Sequence, residues 1–138
     1  HVTPTEQTDN RVQLASLETA DFSALATKLD LSPRTVAVLR ESLERVVEDP
    51  HGTGRAAAVE GVRVAGKTGT AETGGGQPDH AWFAGYVPAD RPRIAFVVML
   101  EHAGSGGKTA GPVARQFVEA LVKNGVVRAG EPEVRSAR

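Results

Sequence analysis

The chain has 138 residues, 16 basic and 17 acidic side chains and a formal net charge of −1, so its composition points to neither a nucleic-acid partner nor a strongly acidic one. It contains no cysteine, which excludes disulfides and thiolate metal sites and leaves the compartment open. No apolar run approaches the roughly 18 residues of a membrane span and no signal peptide opens the sequence, so any anchor of the parent protein is expected outside these residues.

In chain order, residues 1–30 read as a polar connecting segment. Thr3-Pro4-Thr5 and Thr8-Asp9-Asn10 supply turn chemistry, and one or two helical turns are expected over 21–30. A helix is predicted from Leu31 to Asp49. Ser32 is its N-cap, Pro33 fits the first helical position, and Pro50 and Gly52 stop it. Val36, Leu39, Leu43, Val46 and Val47 recur at helical spacing and are expected in the core. The glycines of His51-Gly52-Thr53-Gly54 fit neither the dinucleotide fingerprint nor a P-loop, so this stretch reads as a loop delivering the chain to a strand.

That strand is announced by the alternation Val62-Arg63-Val64 and continues into Gly66-Lys67-Thr68-Gly69-Thr70-Ala71-Glu72. Glycine inside a strand weakens it and marks a place where a ligand or another backbone comes close. Lys67 adds a positive charge and Thr68 a hydroxyl donor, so the strand suits an anionic, extended, peptide-like substrate. An exposed edge lysine would give the same pattern. After the flexible connection Thr73–Asp79 come the aromatic strand His80–Val87 and the uninterrupted apolar run Ile94–Leu100, which is expected to be buried on both faces. Short connections make the three an antiparallel meander. A closing helix starts near Pro112 with Val113, Phe117, Val118, Leu121 and Val122 as its buried stripe, and Asn124-Gly125 ends it. Residues 126–138 are expected to form a disordered tail. The fold class is α/β (α+β), an antiparallel sheet flanked by helices, with the folded portion over residues 31–125.

The run AGKTGTAE, then a glycine-rich loop, HAWFAGYVP, an apolar strand and a closing helix, resembles the C-terminal half of a transpeptidase domain in the penicillin-binding protein and serine β-lactamase superfamily. Class B penicillin-binding proteins are the nearest in pattern, over roughly residues 31–124. The resemblance implies that Lys67 gives the cleft positive potential and supports proton movement, and that Thr68 hydrogen-bonds the substrate carboxylate. It also implies that Gly69 keeps the strand bare, and that the Thr70 amide is one oxyanion-hole donor. Glu72 follows the motif without an assigned role. His51, His80 and His102 lack metal-ligand spacing, and neither a metal nor another cofactor is called for.

The family's S-x-x-K and S-x-N motifs precede K-T-G. Ser105-Gly106-Gly107-Lys108 has the S-x-x-K spacing but falls after it, and Thr8-Asp9-Asn10 echoes S-D-N with no S-x-x-K ahead. The chain therefore reads as half of a catalytic domain whose nucleophile lies in a complementary N-terminal half. The implied chemistry is acyl transfer on D-Ala-D-Ala stem peptides of peptidoglycan, with β-lactams acylating the same serine, on the extracytoplasmic face of the bacterial membrane. A class D-type β-lactamase, a β-lactam sensor and a non-catalytic binding module remain open alternatives, as do the acceptor amine and a role in division or elongation.

Overall fold

A helix is nucleated where Ser32 takes extended backbone angles and its Oγ accepts from the Thr35 amide at 3.1 Å, with proline next in line. The computed structural model describes residues 30–130. The expected helical turns at 21–30, apart from Asp30, and the Thr8-Asp9-Asn10 turn lie outside the described residues, as does the end of the expected tail.

Helix α1 runs Pro33–Glu48. Its apolar stripe is only partly core: Val47 is fully buried and Val46 packs against the core, whereas Leu39 is 48% exposed. The helix meets the rest of the fold through its C-terminal turns. There Glu48 Oε1 accepts from the Val64 amide at 3.2 Å and Glu44 pairs with Arg63 at 2.9 Å. Its N-terminal turns are the more open, with Val38 55% exposed.

The sheet is antiparallel in the order β1-β2-β3, with β1 Ala65–Ala71, β2 His80–Val87 and β3 Ile94–Leu100. The ladder begins later than Val62. Val62 and Val64 are buried, but as core side chains, and Val62 makes only an isolated bridge to Val59. Register pairs Thr68 with Phe83 and Phe83 with Val98, and Lys67 with Ala84 and Ala84 with Val97. Directly opposed residues share a face, so Gly66, Thr68, Thr70, Phe83, Phe96 and Val98 stand on one side of the sheet. Lys67, Gly69, Trp82, Val97 and Met99 stand on the other.

The first face carries most of the core; on the second, Ala65 is buried at the start of β1. Phe83 is fully buried, stacks on Phe96 at a centroid distance of 5.9 Å, and Phe96 in turn meets Phe117 at 5.0 Å. The expectation that β3 is covered on both faces is corrected here: its burial alternates, and Val97 is 62% exposed. A continuous apolar run permits two buried faces, but among the described residues the second-face side chains of β3 are exposed, and β3 pairs only with β2.

Helix α2 spans Gly111–Lys123. Of the expected stripe, Val118 is fully buried and Leu121 and Val122 pack against the core, while Val113 and Phe117 are 38% and 40% exposed; Gly111 and Ala114 are buried as well. Small side chains let the helix come close to the Arg55–Ala57 turn, where Gly111 has only 3.1 Å to Ala56 for any added Cβ. The helix ends in a Schellman arrangement: Gly125 has φ 68°, its amide reaches Val122 O at 3.0 Å and the Val126 amide reaches Leu121 O at 2.9 Å. This turn carries Val127 back into the core at 1% exposure, so the chain remains packed past position 126, where the tail was expected to begin.

Candidate active site

Among the described residues strand β1 has a partner on one side only, so its outer edge offers unpaired backbone groups. Lys67 Nζ donates to the Thr68 carbonyl at 2.7 Å, which places that carbonyl on the outer edge. In an antiparallel ladder both backbone groups of a residue face the same way and the pattern repeats every second residue. The amide and carbonyl of Thr70 therefore also face outward. Lys67 and Thr68 point their side chains to opposite faces of the sheet, and this edge is the place where both serve one space.

That space is a cleft of about 600 Å³ walled by three segments: Gly52–Ala56, Lys67–Thr70 and the Ser105–Lys108 loop. The walls are tied together by hydroxyls. Thr68 Oγ1 donates to Thr53 Oγ1 at 3.1 Å, and the Gly106 amide donates to Thr70 Oγ1 at 3.3 Å. Gly106 opens a wide turn, Gly106–Ala110, that leads into α2. A Cβ on Gly106 would stand 2.2 Å from Gly69 O and 2.6 Å from Trp82 O, so only glycine lets this loop lie directly on the strand.

The charged side chains lining the cleft are Arg55, Lys67 and Lys108, all cationic, in a chain whose net charge is −1. Arg55 is steadied by donating from Nη1 to Glu48 O at 3.2 Å, at the C-terminal end of α1. Three like charges around one cavity favour an anionic occupant.

The four residues singled out from sequence, Lys67, Thr68, Gly69 and Thr70, all line this cleft. Gly69 is nevertheless oriented towards the sheet face: an added Cβ would meet Trp82 Cβ at 3.2 Å. Glu72 lies one residue beyond β1. His80 and His102 pair with each other at the start of β2, rings 4.8 Å apart, with the His102 amide donating to His80 Nδ1 at 3.0 Å. His51 is solvent-exposed beside Asp49.

Sequence reasoning missed two walls. The Gly52–Ala56 segment read as a delivery loop, yet it brings Thr53 and Arg55 to the cleft. Ser105 and Lys108 were set aside as loop chemistry, and they line the cleft too. The Ser105 carbonyl accepts from Thr109 Oγ1 at 2.8 Å and from the Lys108 amide at 3.1 Å, which fixes the loop's start. The available signal was the glycine flanking each of these segments, a mark of close backbone approach.

Away from the cleft, Tyr86 Oη is buried without a hydrogen-bond partner among the described residues. Burial pushes its phenol above the ordinary 10.0, with Arg40 pulling it down and Glu44 pushing it up.

The fold is matched in known proteins. The model for the penicillin binding protein transpeptidase domain matches residues 8–119, and the chain belongs to that family. It is 31% identical over 136 residues to the peptidoglycan D,D-transpeptidase PbpA of Mycobacterium tuberculosis, covering 86% of this chain and 25% of that protein. It is 38% identical over 95 residues to the peptidoglycan D,D-transpeptidase MrdA of Haemophilus influenzae, covering 58% and 15% respectively. Among solved structures it is similar to Pseudomonas aeruginosa PBP2 in complex with WCK 5153, with TM-score 0.64, 30% identity and coverage of 81% of this chain and 25% of that one. It is also similar to an imipenem acyl-enzyme of penicillin-binding protein A from M. tuberculosis, with TM-score 0.55, 33% identity and coverage of 70% and 21%. The chain thus spans a quarter or less of the length of these relatives.

Proposed function

We propose that this chain supplies the K-T-G strand of a serine-type D,D-transpeptidase that cross-links peptidoglycan stem peptides and is acylated by β-lactams. The observation that carries the reading is the outward-facing edge at Thr68 and Thr70, set in a cleft whose charged lining is wholly cationic. Similarity to a penicillin-binding protein seen as an imipenem acyl-enzyme supports the β-lactam part.

In this reading the nucleophilic serine, with its S-x-x-K lysine and the S-x-N motif, comes from a complementary N-terminal half of the domain. Its Oγ attacks the carbonyl carbon of the penultimate D-alanine. The amide bond to the terminal D-alanine breaks, that residue leaves as the free amine, and an amine of a neighbouring stem then takes the acyl group from the serine. Lys67 supplies positive potential and Thr68 binds the terminal carboxylate. The Thr70 amide donates to the oxyanion as it forms, a contact whose loss typically costs about 10²–10³ in rate. The work is placed at the extracytoplasmic membrane face. Among the described residues no helix is long and apolar enough to cross a membrane.

The test is labelling with fluorescent penicillin. The complete protein should form a stable covalent adduct, and residues 1–138 alone should form none until the complementary half is added. Covalent labelling of residues 1–138 alone would overturn the assignment and move the nucleophile to Ser105. Rapid turnover of a chromogenic cephalosporin by the complete protein would replace transpeptidation with β-lactam hydrolysis.

A further inference from the structure

A threonine hydroxyl has one proton to give and two lone pairs to receive with. In the free protein Thr68 Oγ1 spends its proton on Thr53 Oγ1, at 3.1 Å. A carboxylate is an acceptor only, so to bind one Thr68 must turn its O–H towards it and release Thr53. The bond between the two hydroxyls survives that turn only if Thr53 rotates and becomes the donor.

Thr53 is held where it can do this. The Gly54 amide donates to Val46 O and the Gly52 amide to Asp49 O, both at 2.9 Å, seating the loop on the C-terminal end of α1. A Cβ at Gly52 would fall 2.1 Å from Val46 O, so the seat admits only glycine. On the cleft side, any Cβ at Gly107 would stand 2.6 Å from Thr53 O, so the Ser105–Lys108 loop closes on the same backbone. The Thr53 hydroxyl is thus presented by a backbone pinned from two sides.

We propose that Thr53 is a positioning residue for substrate binding: it accepts the Thr68 proton in the free protein and donates to Thr68 Oγ1 once Thr68 has turned to the substrate carboxylate. This rests on the reading that Thr68 binds that carboxylate. The switch keeps Thr68 in one rotamer throughout, and a hydroxyl that receives a hydrogen bond becomes a stronger donor.

The experiment measures second-order acylation of the complete protein by benzylpenicillin, with thermal melting of each variant as a folding control. Thr53→Val, which keeps the shape and removes the hydroxyl, should slow acylation about three- to tenfold, the factor one neutral hydrogen bond is worth. Thr53→Ser should restore it to within about twofold. In a Thr68→Ala background Thr53→Val should have no further effect, because the proposed role runs through the Thr68 hydroxyl. Thr53→Val acylating at the wild-type rate, or costing the same factor with and without the Thr68 hydroxyl, would overturn the proposal while leaving the site intact. Thr68→Ala acylating normally would instead overturn the reading on which it rests.

Discussion

The two edges of the sheet are built by opposite rules. At the β1 edge polar groups meet at hydrogen-bonding distance, and glycines bring two loops onto the strand, so backbone positions are fixed by contacts of under 3.5 Å. At the β3 edge the exposed side chains, Val97 and Met99, are apolar, and so are Leu39 and Val38 on the open turns of α1, which packs against β1. A groove of about 370 Å³ between α1 and the Tyr86–Ala95 region is lined almost wholly by apolar groups. One edge presents polar groups held in place by short contacts. The other carries the kind of surface that proteins normally bury against more protein. A fold can thus complete the recognition half of a site while leaving a large apolar face to be covered.

The sharpest way to break this comparison is to remove the polar groups of the β1 edge. In the complete protein Lys67→Ala should slow acylation by fluorescent penicillin about 10²-fold, on the scale of one transition-state contact. Thr68→Ala should slow it about tenfold or more, as expected for a hydrogen bond to a charged group. Glu72→Ala, beyond the strand end, should stay within about threefold. Normal acylation by a folded Lys67→Ala protein would show that the polar edge is not the binding edge.

Next come single substitutions that contrast the two sides. Gly106→Ala must push the loop off Gly69 O and Trp82 O, and overpacking of this kind costs about 1–3 kcal/mol. Denaturant melts should register that loss, and acylation should fall with it because the loop holds Thr70. Val97→Lys, at a side chain 62% exposed, should change the stability of residues 1–138 by no more than about 0.5 kcal/mol while raising their solubility. Equal stability losses for the two variants would mean that the β3 side is packed as tightly as the β1 side.

The smallest effect is expected at Tyr86, in the apolar groove. Its phenol is raised above 10.0 in the fold, so the native state keeps this proton where the unfolded chain gives it up. Its contribution to stability is present in full below that pH and is lost as pH rises through the folded value. Tyr86→Phe should be neutral or slightly stabilising below pH 10.0, since the hydroxyl has no partner among the described residues, and should flatten the decline above it. A decline of unchanged steepness in Tyr86→Phe would assign it to other groups.

The sequence by itself determined what depends on neighbours along the chain. Ser32 and Pro33 set the start of α1, Asn124-Gly125 set the end of α2, and strands β2 and β3 begin and end where their aromatic and β-branched runs do. The strand carrying Lys67, Thr68, Gly69 and Thr70 was legible for the same reason, since lysine, hydroxyl and glycine packed together make poor sheet core. What only the tertiary structure decided is which surfaces meet. Helical spacing nominated Val113, Phe117, Val118, Leu121 and Val122 of α2 for burial; Val118 is buried and Leu121 and Val122 pack against the core, but Gly111 and Ala114 are turned inward where Val113 and Phe117 stay partly exposed, because close approach to the Arg55–Ala57 turn favours small side chains over large ones. An apolar strand can be buried on one face or two, and nothing within β3 says which. Thr53 stands 15 positions before Thr68 in a stretch with no periodicity, and the Ser105–Lys108 loop lies more than 30 positions after it. Their convergence on one edge follows from the seat of Gly52 on α1 and of Gly106 on Gly69, contacts between backbones that no local pattern encodes.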